Sequence, residues 1–151
     1  MQIIEQSIHS HKNLAEVIPL SVDRHTLARK RWHGIASDGS EFGFDLKSSL
    51  KHGDIFFEKE GRLYAIEQTE EPCFLIQLST PKASAWLGWM VGNLHFKAEF
   101  TEEGMLVQDD LAVRQMLERE SIEFALVNRI FQPCAQGGHS HDHPHSHSHE
   151  H

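Results

Sequence analysis

Residues Thr80–Phe100 read TPKASAWLGWMVGNLHFKAEF, and the way this stretch folds decides the architecture around it. Thr80-Pro81 is a helix start, with threonine as N-cap and proline at the first helical position, where its missing N–H costs nothing. Ala83, Trp86, Leu87 and Met90 recur at helical spacing, and Gly92-Asn93 predicts the helix stop. From Leu94 the period changes to two. Leu94, Phe96, Ala98 and Phe100 fall on one face and His95, Lys97 and Glu99 on the other, which predicts a strand. Upstream, Cys73–Leu78 is a continuous apolar run that predicts a buried strand. Downstream, Met105–Val107 predicts a short strand after Glu103-Gly104. Asp109-Asp110 sits where acids favour a helix N-terminus, and Val113, Met116 and Leu117 form the apolar side of that second helix. Ile122–Ile130 predicts a last strand. The order βαββαβ is that of the ferredoxin-like split βαβ unit.

Residues 1–72 have a different texture and predict a β-rich domain. Gln2–Ile8 and Val17–Leu20 are short strand candidates. Asp38-Gly39 is a hairpin turn signal between Arg29–Ile35 and Glu41–Leu46, the latter alternating Phe42, Phe44 and Leu46. Gly53-Asp54 and Glu60-Gly61 punctuate Ile55–Phe57 and Leu63–Ile66. Short strands at this spacing suggest a small barrel or sandwich, and Glu70-Glu71-Pro72 reads as a linker. The expected class is therefore α+β: a β-rich domain over 1–72, a ferredoxin-like domain over 73–136, and a disordered His-rich tail over 137–151.

That tail ends HSHDHPHSHSHEH, with histidine at 139, 141, 143, 145, 147, 149 and 151. It has no large apolar side chain to bury and nothing to offset the entropy of ordering. Its imidazoles suit borderline transition metals. A purification tag would usually be an uninterrupted run, whereas this one is broken by Ser140, Asp142, Pro144, Ser146, Ser148 and Glu150. A pH-sensing or solubilising tail is the other bland reading.

The 151 residues carry a formal charge of −8 with histidine neutral, a poor match for nucleic acid or anionic lipid. The basic cluster Arg29-Lys30-Arg31 reads as a solvated strand face rather than a docking patch. No stretch approaches the roughly 20 apolar residues of a membrane span, and the N-terminus lacks the pattern of a signal peptide. Two cysteines, Cys73 and Cys134, in no CxxC pattern, argue against a disulfide framework and fit a reducing cytoplasm. Cys134 lies close enough to the tail to lend a thiolate, although an ordinary free thiol is the simpler reading.

His95 is the residue of most chemical interest in the body. A period-two strand puts it opposite the apolar face, hence away from the core, and in a ferredoxin-like domain that face is free for solvent or a partner. One monodentate imidazole is a weak metal site. A two-fold dimer through this region would bring each His95 to its mate and create a shared one. Of the other histidines, only His9-x-His11 has even weak ligand spacing. His25, His33 and His52 read as surface residues.

The segment Gly92-Asn93-Leu94-His95 resembles the Gly-Asn-x-His motif of the nickel metallochaperone family of urease accessory proteins. Asp23–Asp54, with its basic strand, Asp-Gly hairpin, Leu-rich strand and Gly-Asp turn, is similar to that family's first domain. Met116-Leu117 sits at the matching position of the second helix, and the His-rich tail completes a likeness that covers nearly the whole chain. The resemblance implies a β-rich domain that contacts partner proteins and a ferredoxin-like domain that dimerises head to head. It also implies nickel as cargo, bound at the dimer interface by His95 of each subunit, and urease apoprotein with its accessory proteins, a GTPase among them, as partners. Family members often carry an Asp-His pair where this chain has Asp109-Asp110-Leu111, so the tail histidines are expected to supply ligands beyond the His95 pair. Asp109 or Asp110 could offer an oxygen, but helix capping explains both. Zn(II), Cu(II) or Co(II) would compete, since affinity alone does not select nickel. The alternatives are a divalent-metal buffer that uses the tail alone and a metal hydrolase built on His95 with Asp109 or Asp110. No HExxH, Gly-x-Ser-x-Gly or cofactor loop supports an enzyme.

Overall fold

The computed structural model describes residues 1–10 and 16–134. The tail histidines from His139 to His151, and His11, lie outside the described residues. The chain is a strand-rich α+β protein with ten strands and three helices among those residues. It divides into two compact units. The first is Met1–Phe74 with Ala125–Phe131, and the second is Leu75–Phe124 with the segment from Gln132.

In the first unit, β1 (Gln2–Ile4) pairs parallel with β4 (Glu41–Asp45), which pairs antiparallel with β3 (Arg31–Ile35). A second sheet pairs β2 (Glu16–Val22) parallel with β6 (Arg62–Gln68) and antiparallel β5 (Ile55–Lys59) with β6. Alternation aims Phe42 and Phe44 inward with Ile18, Leu20, Phe56, Tyr64 and Ile66, so both sheets bury side chains in one cluster. Phe42 and Phe44 meet Phe56 edge-to-face at 5.0 and 5.2 Å, the arrangement ring quadrupoles favour. The Asp38-Gly39 turn joins β3 to β4 as its sequence predicts. Gly39 takes φ 88°, and Asp38 accepts from the Ser40 N–H at 2.9 Å.

A short helix outside the sequence-based expectations, α1 (Arg24–Leu27), follows β2. Its local signal is Asp23, which accepts from the Thr26 N–H at 3.0 Å as a side-chain N-cap. Arg24 on this helix forms a bidentate pair with Glu71, at 2.9 and 3.0 Å. Glu71 and Pro72 are not a linker, because β7 spans Glu71–Ile76 and buries Cys73 and Phe74.

β7 is followed by α2 (Pro81–Asn93), β8 (Ala98–Thr101), β9 (Gly104–Gln108), α3 (Leu111–Arg119) and β10 (Ala125–Arg129). The four strands form one sheet in the order β10-β7-β9-β8. Within the second unit, α2 buries Leu87, Met90 and Val91, α3 buries Val113, Met116 and Leu117, and β9 buries Met105, Leu106 and Val107. Gly104 is required at the β8–β9 hairpin. Its φ of 146° is closed to other residues, and a Cβ there would overlap the Ile76 carbonyl oxygen. The last strand is shorter than the expected Ile122–Ile130, because α3 ends in a turn that runs through Ser121 (φ 54°).

Candidate metal centre

The expected strand Leu94–Phe100 is not what forms. β8 begins only at Ala98, and α2 ends at Asn93, where the Gly92-Asn93 signal places its stop. The helix starts as its sequence predicts: Thr80 is the N-cap, its hydroxyl accepting from the Ala83 N–H at 3.1 Å. Leu94 is the C-cap, its N–H donating to the Met90 carbonyl, and the next two residues close the end. The His95 N–H donates to the Gly92 carbonyl at 3.0 Å and the Phe96 N–H to the Val91 carbonyl at 3.1 Å. These are the two bonds of a Schellman cap. His95 occupies the left-handed position, with φ 61°, where most helices place glycine. The period-two pattern misleads because the apolar run Leu94, Phe96, Ala98, Phe100 is not a buried face: Leu94 and Phe100 are exposed.

His95 is therefore exposed for a different reason than strand alternation. It stands at the C-terminal end of α2, where the aligned peptide dipoles leave partial negative charge and favour a cation. Backbone hydrogen bonds on either side of it fix the turn, so the ring starts from a defined place. A left-handed conformation at a residue with a Cβ costs free energy. Histidine is among the residues that tolerate it.

One face of α2 leading to this turn is not covered. Lys82, Trp86, Trp89 and Asn93 follow each other at spacings of four, three and four, so they share a face. Trp86 is 45% and Trp89 65% exposed. Trp86, one of the residues that recur at helical spacing, belongs to this outer stripe. Beside it, a Cβ on Gly88 or Gly92 would meet nothing within 4 Å.

Second-helix acids have other partners. Asp110 is the N-cap of α3, its Oδ1 accepting from the Ala112 N–H at 2.8 Å and the Val113 N–H at 3.4 Å. Asp109 faces Arg114 at 3.7 Å. Among the described residues, no three of His, Cys, Asp and Glu converge on a metal-sized site. His9, His25 and His33 are exposed and His52 half-buried. The His52 Nδ1 accepts from the Gln68 N–H at 3.1 Å. Cys134 is an exposed free thiol and Cys73 a buried one.

Residues 71–151 match the family described as the C-terminal domain of the UreE urease accessory protein. Over 85% of its length the chain is 34% identical to the urease accessory protein UreE of Rhizobium rhizogenes, covering 80% of that protein. It is 31% identical to that of Bacillus cereus, over 69% of this chain and 71% of the relative. Against that of Azorhizobium caulinodans it is 31% identical over 76% of this chain, but this spans only 56% of the relative's length. These matches define an accessory protein of enzyme assembly. The chain belongs to the UreE family of urease accessory proteins.

Proposed function

We propose that this protein is a metallochaperone that carries Ni(II) to apo-urease while the urease active site is assembled. The observation that carries the reading is His95, an exposed imidazole held in a strained position at the negative end of α2, in a chain whose relatives are named urease accessory proteins. The role is assembly, not catalysis. In this reading residues 73–136 form a ferredoxin-like metal-binding and dimerisation domain and residues 1–72 a partner-binding domain. The strand order β10-β7-β9-β8 within a βαββαβ run supports the first assignment.

One imidazole is too few ligands for a carrier, and a homodimer supplies the second. The uncovered Trp86–Trp89 stripe that ends beside His95 supports pairing there: two exposed tryptophans on one helix face are a large apolar area for a monomer to leave in water. An isologous contact would set the two His95 side chains near the axis. His139, His141, His143, His145, His147, His149 and His151 capture the ion as a loose chelate and complete its coordination at the His95 pair. An incompletely filled shell leaves positions for an acceptor's ligands and so permits release to the urease apoprotein, assisted by its accessory proteins including the GTPase. Zn(II), Cu(II) and Co(II) compete for the same nitrogens. Cytoplasmic residence follows from the role. No helix among the described residues is long and apolar enough to cross a membrane.

Equilibrium dialysis of Ni(II) against the intact chain, His95→Asn and a chain ending at Cys134 tests this reading. Asparagine tolerates the left-handed turn and removes the imidazole. Both changes are expected to lower affinity or stoichiometry, and His95→Asn to lower urease activation in a reconstituted assay. Full activation by His95→Asn, with nickel lost only on tail removal, would favour the metal-buffer alternative that the tail's composition suggests.

A further inference from the structure

The inner face of the first unit does not stay apolar to its end. Ile4 pairs with Phe44 and both lie in the core, so Gln2, paired with Phe42, projects from the same face of the sheet two residues further out. The facing sheet behaves alike. Phe57 pairs with Tyr64, and Lys59 with Arg62 beyond them at the β5–β6 turn, so period two sets both cations on the side that carries the two rings. The sheets part here into a cleft of about 320 Å³, within the size range of small-molecule sites. Its floor is aromatic. Phe42, Phe57 and Tyr64 meet with ring centroids 5.1 to 5.7 Å apart, and Phe57 is only half-buried.

One wall already has its partners. The Tyr64 hydroxyl and the Ser40 N–H both donate to Asp38, at 2.7 and 2.9 Å, which ties the β3–β4 turn to β6. The other wall carries spare donors. Lys59 has no ion pair among the described residues. Arg62 lies near Asp38 and pairs with Glu16 at 3.3 Å, both side chains being more than half exposed, a contact of little worth. Two cations directly opposite on paired strands repel, and an anion set between them removes that repulsion. Glu41 alternates to the far face of β4 from Phe42. Glu60, in the turn, is an exposed acid at the mouth, where water and salt screen its charge. We propose that this cleft binds a small carboxylate that carries an apolar body. The carboxylate lies between Lys59 and Arg62, the Gln2 amide donates to it from the facing sheet, and the body rests on Phe57. The site belongs to the first unit and is independent of His95 and of nickel.

NMR titration of the full chain with phenylacetate tests it. Signals of Gln2, Phe57, Lys59, Arg62 and Tyr64 are expected to shift, the rest of the spectrum staying in place, with a dissociation constant on the order of a millimolar. 2-Phenylethylamine keeps the ring and reverses the charge, and acetate keeps the charge and lacks the ring. Each should bind more weakly than phenylacetate by about fivefold or more. Lys59→Gln and Arg62→Gln, both at exposed positions, should each weaken phenylacetate about threefold to fivefold, the worth of an exposed ion pair, and the double substitution about tenfold. Lys51→Gln removes a cation of the same unit outside the cleft lining, and it should match the unaltered chain. Cleft signals that do not move with phenylacetate at about 10 mM, equal binding of 2-phenylethylamine or of acetate, or unaltered affinity in the double variant would overturn the proposal.

Discussion

His95 combines two properties that oppose each other. As the left-handed residue of a Schellman cap it stands where glycine is most stable, and as an exposed imidazole it is the ligand that the proposed nickel-carrier role requires. His95→Gly should therefore stabilise the fold by about 0.5–1 kcal/mol, the relief of the Cβ clash, and raise the melting temperature by a few degrees. Nickel binding at the body should weaken in the same variant. Calorimetric unfolding and nickel titration of one preparation check both halves, and a lower melting temperature for His95→Gly would contradict the strain argument. Asp110 gives the complementary case. It caps α3, so Asp110→Ala should cost about 1 kcal/mol and leave nickel stoichiometry unchanged. A lost nickel equivalent would instead make it a ligand.

At the level of elements, two carboxylates tie secondary structure to pH. The Tyr64 hydroxyl, donating to Asp38 at 2.7 Å, and then the Ser40 N–H hold the Asp38 carboxyl below its usual range. Thr26, through its side chain and its backbone, does the same for the α1 cap Asp23. A carboxyl whose folded pKa is depressed contributes stability that is complete above its unfolded value, near 3.8. That contribution is lost as pH falls through the lower folded value. Chemical denaturation from pH 6 to pH 2.5 should thus show stability falling in acid. Asp38→Asn should flatten that fall relative to the unaltered chain, and an identical acid profile would mean the Tyr64 bond is not formed. Element boundaries are legible in the sequence where a local signal marks them, as at Thr80-Pro81 and Asp38-Gly39. The form of the cap at the end of α2 is not legible there. Gly92-Asn93 carries a stop signal and Asn93 is the last helical residue, yet the left-handed cap position falls to His95 and not to Gly92.

For the whole molecule, the exposed stripe on α2 is the feature with consequences for assembly. If two copies meet across Trp86 and Trp89, Trp89→Glu places a charge in an apolar contact and should shift the protein toward monomer. Sedimentation at micromolar concentration reads the shift, and nickel bound per chain at the shared His95 site should fall with it. A monomeric unaltered protein would remove the two-fold site. An unchanged dimer in Trp89→Glu would move the contact elsewhere.

Features that depend on near neighbours are already specified along the chain. These are the helix starts, the Asp38-Gly39 and β8–β9 hairpins, the inward alternation of Phe42 and Phe44, and a histidine-dense segment with nothing to bury. Local reading also places His95 in the region where metal chemistry is argued. That His95 caps a helix instead of lying on a strand emerges from the folded chain alone, because a left-handed φ at a residue with a Cβ is selected by the packing of the turn around it. Which tryptophans α2 leaves in solvent is likewise settled by packing, since Leu87, Met90 and Val91 compete with them for the one face the core can cover. The hydrogen bond from the Gln132 N–H to the Glu99 carboxylate belongs to this second group. Glu99 and Gln132 are 33 residues apart, and no local propensity relates them.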